Sequence, residues 1–212
     1  MTALAVIAKA PVAGRSKTRL SPPCTPEQAA ALATAALIDT LQAVAQTPAD
    51  RRIVVLDGAP GPWLPAGGFE LITQRCGDLA ERLAAAFADI GEPALVVGMD
   101  TPQLTPRLLA HALDLLARTD AVLGPAPDGG YWAIGLRHPD DAVFAGVPMS
   151  DRATCAAQRA RLRARGLRTR ELPALRDVDD IADAHAVAAL APRTCFAREL
   201  ATMRLLPAGR VA

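Results

Sequence analysis

The sequence predicts a layered α/β protein built on a mostly parallel sheet with helices on both faces. Three observations carry that expectation. Short apolar runs at 3–8, 52–56 and 94–98 each stop on a polar or glycine-containing loop, as buried parallel strands do. Helical segments with clear start signals alternate with these runs, which implies right-handed crossovers. Hydrophobic residues make up 51% of the chain but aromatics only 3%, so the core must be packed from Ala, Val, Leu and Ile.

The elements follow in order. After the first strand and a basic loop, Thr25-Pro26-Glu27-Gln28 opens a long Ala/Leu helix to about Gln46. Thr25 is its N-cap, Pro26 takes the first helical position and Gln28 completes a capping box. The second strand, 52–56, ends at Asp57-Gly58 and a Pro/Gly loop that runs to Gly68. A short third strand is expected over 69–73, and Asp78…Glu81 starts a helix to about Ile90 by the same capping logic. The strand ending at Asp100 comes next. Thr105-Pro106 then begins a helix through Leu115, and 121–123 forms a strand entering Gly124-Pro125. Beyond Asp128-Gly129-Gly130 the pattern changes: a strand over 131–136 close behind a turn, a helix over 151–165 with Ser150 as its cap, a short strand over 168–172, and helices over 181–190 and 192–203. The last residues, 205–212, are expected to fray.

Length and charge bound the function. The 212 residues suffice for a single domain, 1–212, and the net charge of +1 argues against a general nucleic-acid binder whose affinity comes from phosphate neutralisation. Cys24, Cys76, Cys155 and Cys195 form no C-x-x-C pair, so neither a zinc ribbon nor a redox motif is predicted. The start lacks the basic region and length of a signal peptide or membrane span, and a soluble cytoplasmic protein is expected, with no membrane partner.

The chemistry-bearing residues fall at strand ends, where ligands bind in open α/β sheets. Behind the first strand, Lys9, Arg15, Lys17 and Arg19 surround Gly14, a composition suited to phosphate; a solvated basic loop is the alternative. Ser16 stands where a P-loop requires its second glycine, so that motif is rejected. Asp100, directly behind an apolar strand and before Thr101-Pro102, is placed to hold Mg²⁺ or Mn²⁺ together with a diphosphate, or else to turn the chain. Asp128, Gly129, Gly130 and Tyr131 follow the fifth strand in a turn that could border a ligand. Asp177 and Asp179 would point the same way if their segment is extended and could complete a metal site with Asp100; Asp179 or Asp180 could equally cap the helix from Ile181. His111, His138 and His185 share no ligand spacing. Arg159, Arg161, Arg163 and Arg165 read as a solvated helix face.

Three segments together, Lys9-Ala10-Pro11…Gly14…Lys17-Thr18-Arg19-Leu20, Gly98-Met99-Asp100-Thr101-Pro102-Gln103-Leu104 and Gly124-Pro125-Ala126…Asp128-Gly129-Gly130-Tyr131, resemble the radical-SAM/selenodomain-associated glycosyltransferase-like family. That family belongs to the GT-A type nucleotide-diphospho-sugar transferases. The resemblance implies a three-layer Rossmann-like (GT-A type) fold, phosphate contacts from Gly14, Lys17 and Arg19, a divalent metal on Asp100, and Asp128, Gly129, Gly130 and Tyr131 on the sugar or acceptor side. Gln74…Gly77-Asp78-Leu79-Ala80-Glu81-Arg82-Leu83 is similar to a further family segment near the nucleotide, with Ala80 where glycine is usual. Pro148-Met149 stands where an aromatic residue is common. The first loop also resembles that of phospholactate guanylyltransferase.

The expected activity is therefore metal-dependent glycosyl transfer from a nucleotide-diphospho-sugar to a small-molecule acceptor, with Asp128 the one candidate for a catalytic base. The alternatives are nucleotidyl transfer from an NTP to a phosphorylated small molecule, with release of pyrophosphate, and a nucleotide-binding protein without turnover. Base, sugar, acceptor and oligomeric state are left open by the sequence.

Overall fold

The structure, a computed structural model, describes residues 1–203; the expectation for 205–212 lies outside them. Seven strands form one sheet: β1 (Ala3–Lys9), β2 (Arg51–Asp57), β3 (Glu70–Thr73), β4 (Ala94–Gly98), β5 (Ala121–Pro125), β6 (Tyr131–Leu136) and β7 (Thr169–Glu171). Their spatial order is β3-β2-β1-β4-β6-β5-β7. All neighbours are parallel except β6, which runs antiparallel to both β4 and β5. The tight turn at Asp128-Gly129 sets this reversal, since strands joined closely can pair only antiparallel.

Helices are α1 (Pro26–Ala45), α2 (Leu79–Ile90), α3 (Pro106–Leu116), α4 (Thr154–Ala164), α5 (Ile181–Leu190) and α6 (Cys195–Thr202). The capping boxes expected at Thr25/Gln28 and Asp78/Glu81 are both formed, and Thr105 caps α3. Alternation along the strands divides the core between two faces. Leu4, Val6, Leu95 and Val97 face α1 and α3, meeting Leu37, Leu41, Leu109 and Leu116. Ala3, Ala5, Ile53 and Val96 face the other way, onto Leu83, Phe87 and Ile90 of α2 and Leu162 of α4. Three layers result, as expected for a Rossmann-like fold of the GT-A type. By length and composition α1 could cross a membrane, but most of that window is buried within the domain.

One local expectation is corrected and one open alternative is resolved. The helix expected over 151–165 begins only at Thr154, and Ser150 is not its cap. Ser150 sits at φ 58°, while Asp151 forms the turn by accepting the Ala153 N–H and donating its own N–H to the Thr154 hydroxyl. Asp180, rather than Asp179, caps α5, in a reciprocal box with Asp183.

Outside the three layers, α5 and α6 pack on the far side of α1 through Leu32, Ala36, Val187, Phe196 and Leu200. Asp39 fixes this arrangement. It is buried within α1, yet its carboxylate accepts the Cys195 and Phe196 N–H groups, both at 2.8 Å, where α6 begins. An anion there meets unpaired donors and the positive end of the helix dipole. Asp39→Ala should cost about 2–3 kcal/mol in urea unfolding, because two donors lose a charged acceptor, and Asp39→Asn should cost less.

Candidate functional site

β1 and β4 are adjacent, and the chain leaves them toward opposite edges of the sheet, β1 toward β2 and β4 toward β5, so their carboxyl ends flank the switch point at which open α/β sheets bind ligands. The first loop leaves from β1 and Asp100 follows β4. Gly14 has φ 74° in open space, so its glycine serves conformation rather than close packing. Lys17 also lies at positive φ, 50°, and its ammonium turns inward, 2.9 Å from Asp100 Oδ2. It donates as well to the Val178 carbonyl. The side chain is only 11% exposed, so both its charge and one of its donors are met by protein.

Val178 binds the third segment to the other two. Its N–H donates to the Asp100 carbonyl at 2.9 Å, its carbonyl receives Lys17, and its side chain is buried between α1 and α5. Asp177 and Asp179 are thereby brought to the rim, but into different surroundings. Asp179 pairs with Arg19. Asp177 is partly buried and feels Asp128, and more weakly Asp100, as like charges; burial first and Asp128 second push its pKa up from 3.8 to about 6, with Lys17 opposing.

These segments enclose two adjoining cavities. The smaller, about 250 Å³, is lined by Lys9, Arg15, Lys17, Arg19, Met99, Asp100 and Asp179. Of its cations, Lys17 and Arg19 are paired and Lys9 stands 4.0 Å from Asp57. The larger, about 740 Å³, shares Lys9, Arg19, Asp100 and Asp179 and extends across β1, β4 and β6 to Asp128, Tyr131, Met149, Asp151, Arg152 and Asp177.

Asp128 is exposed and its carboxylate accepts the Gly130 N–H at 2.8 Å, shaping the turn. Gly129, at φ 96°, is where backbone packs on backbone: a Cβ there would lie 2.1 Å from the Arg152 carbonyl oxygen. Tyr131 lends its ring to the cavity, while its hydroxyl lies near Gln158 Oε1 at 3.4 Å and burial raises its pKa.

Asp100 Oδ1 is buried without a hydrogen-bond partner. A divalent cation fits such an atom, because Mg²⁺ needs only one or two carboxylates when substrate phosphates supply the rest. Among the described residues no three His, Cys, Asp or Glu side chains form a ready cage, so any metal here would be completed by its ligand.

Of the residues singled out in the sequence, Lys9, Arg15, Lys17, Arg19, Asp100, Asp128, Asp177 and Asp179 line these cavities, and Arg82, Asp151 and Arg152, to which the sequence gave no role, line the larger one as well. Gln74 donates its amide to the carbonyls of Ala8 (2.7 Å) and Val55 (3.0 Å) and accepts from Arg82 at 3.1 Å, holding the guanidinium at the wall of the larger cavity. Nothing in the 74–83 segment alone reveals that relay.

Comparison with known proteins places the chain. A candidate nucleotide-diphospho-sugar transferase from Desulfovibrio desulfuricans G20 superposes with a TM-score of 0.83 at 27% identity, over 94% of each chain. Rv0371c from Mycobacterium tuberculosis H37Rv, also crystallised with manganese, shares the fold at a TM-score of 0.56 and 20% identity, over 89% of this chain and 97% of that one. So does 2-C-methyl-D-erythritol 4-phosphate cytidylyltransferase from Thermus thermophilus, at 0.56 and 18%, over 91% and 100%. No curated protein matches. Residues 40–151, more than half of the sequence and including β4, Asp100 and the Asp128 turn, match the family described as "uncharacterized protein conserved in bacteria" (DUF2064), and the chain belongs to that family.

Proposed function

We propose that the protein is a transferase acting on nucleotide diphosphate compounds, and specifically a metal-dependent glycosyltransferase using a nucleotide-diphospho-sugar donor. The observation that carries this reading is Asp100, gripped by Lys17 through one oxygen while the other is buried and unpartnered. The description of the Desulfovibrio protein, 27% identical over nearly the whole chain, supports the same class.

In this reading Arg15, Lys17 and Arg19 bind the diphosphate in the smaller cavity, and Gly14, which does not line it, supplies the positive-φ turn that presents them. A divalent ion held by Asp100, with Asp177 as second carboxylate, would stabilise negative charge on the departing diphosphate. Asp177 suits the task because the neighbouring carboxylates that raise its pKa make a cation welcome there. Asp128 faces the larger cavity, where it takes the proton of the acceptor hydroxyl as that oxygen bonds to the sugar carbon and the carbon–phosphate oxygen bond breaks. Gly129, Gly130 and Tyr131 border the acceptor.

Nucleotidyl transfer is a second reading, favoured by Lys9, Arg15, Lys17 and Arg19 all lining one small cavity, where Arg15, in no ion pair among the described residues, and the exposed Lys9 and Arg19 could turn to a departing pyrophosphate. Thermal melting with Mg²⁺ or Mn²⁺ and a panel of nucleotide-sugars, nucleoside diphosphates and triphosphates separates the two. A matching nucleotide-sugar with metal should stabilise the fold by about 3 kcal/mol at a hundredfold excess over Kd. Preference for a triphosphate selects nucleotidyl transfer, and no response to any nucleotide rejects both. Asp100→Ala should fold normally and lose the metal-dependent part of the shift.

Asp177 provides a pH test. Its folded pKa, about 6, exceeds the ordinary 3.8, so the folded state holds this proton more tightly. Its stabilising contribution is fully present below about pH 4 and is lost as pH rises through about 6. In metal-free protein Asp177→Asn should therefore raise stability at about pH 7.5, on the order of 1 kcal/mol after solvent screening, with no gain at about pH 4. Metal affinity of the native protein should fall below about pH 6, as the ligand becomes protonated.

A further inference from the structure

Arg82 is a cation that the proposed donor chemistry does not use. It sits in the second turn of α2, and forms no ion pair among the described residues. Its Nη1 donates to Gln74 Oε1, and Gln74 is in turn fixed to the main chain of β1 and β2. The guanidinium is thus oriented by a side chain that has no freedom of its own. Its Nε is buried and has no acceptor. With Nη1 occupied, the edge left over is that of Nε and Nη2, the fork whose parallel N–H groups match the two oxygens of a carboxylate or phosphate.

The surroundings select a charged ligand. Ile7, Leu79, Leu83 and Ile134 line the same cavity, and although Asp100, Asp128, Asp151 and Asp177 line it too, no carboxylate among the described residues pairs with Arg82, so its charge is left for a ligand to meet. A neutral hydrogen-bond acceptor would satisfy Nε and leave the charge uncompensated; an oxyanion satisfies both. Arg152, exposed, lining the same cavity and without an acidic partner among the described residues, adds positive potential.

We infer that the second substrate carries a carboxylate or phosphate group and that Arg82 grips it through its Nε–Nη2 edge, with Gln74 as the positioning residue. This rests on the transferase reading above and narrows its acceptor to small acidic molecules.

The test follows the Arg82 Nε–H resonance by ¹H–¹⁵N NMR in full-length protein with the phosphate loop filled by Mg²⁺ and a nucleoside diphosphate. The peak is assigned by its loss in Arg82→Lys, and the diphosphate's own affinity is measured separately by calorimetry. Inorganic phosphate and succinate are then titrated in parallel arms. A saturable shift with either supports the inference and tells which oxyanion is read. Affinity for that anion should drop about tenfold in Arg82→Lys and several-fold in Gln74→Met, while diphosphate affinity changes less than about twofold. A resonance that moves with the nucleoside diphosphate but with neither anion makes Arg82 a base contact and overturns the inference. So does a resonance indifferent to all of them. Failure of the diphosphate to bind in calorimetry would instead count against the transferase reading, leaving the anion titrations on unliganded protein to decide the role of Arg82.

Discussion

The ammonium of Lys17 ties together the loop behind β1, the end of β4 and the segment ahead of α5. It joins three segments that the sequence separates widely: its own loop behind β1, Asp100 behind β4, and the 177–179 stretch that crosses in front of both. A cation so nearly enclosed needs a counter-charge and an acceptor, and it has one of each. Because the Asp100 carbonyl also receives the Val178 N–H, the same residue fastens the strap through its backbone and the loop through its side chain. The geometry of both cavities depends on this arrangement.

Charge at the site is balanced in pairs, with the imbalance concentrated at few atoms. Lys17 answers Asp100 and Arg19 answers Asp179, whereas Asp177 has negative neighbours and Arg82 forms no ion pair among the described residues. Asp177 and Arg82 both lie along the larger cavity, together with Arg152, which likewise forms no ion pair among the described residues. Structural pairs stabilise the empty protein; the unmatched acid and the unmatched base are where a cation and an anion gain most by entering.

Local chemistry explains why much of this was legible in the sequence. The boxes at Thr25/Gln28 and Asp78/Glu81 are spelled by residues three apart, and the strands by apolar runs that cannot be exposed. Asp100 and the basic loop could be singled out because a strand end is itself a location. Ser150 misled because a polar residue ahead of a helical pattern resembles a cap, while the true start depends on Thr154 bonding back to Pro148 and Asp151. The different surroundings of Asp177 and Asp179 depend on Arg19, far away in sequence. Arg82 was invisible for the same reason, since its orientation is set through Gln74 by Ala8 and Val55.

Gly129 has a consequence for how such a site diversifies. Its backbone touches that of Arg152, and its carbonyl receives the Cys155 N–H at 2.8 Å, so the turn and the loop before α4 share a fixed hinge pin. Side chains at 149 and 152 can be exchanged around that pin without relocating the main chain, since neither holds the turn that Asp151 and Thr154 make. If the proposed reading holds, this wall is a replaceable panel on a rigid frame, and drift in acceptor preference across descendants can proceed there one residue at a time while the basic loop behind β1 remains untouched.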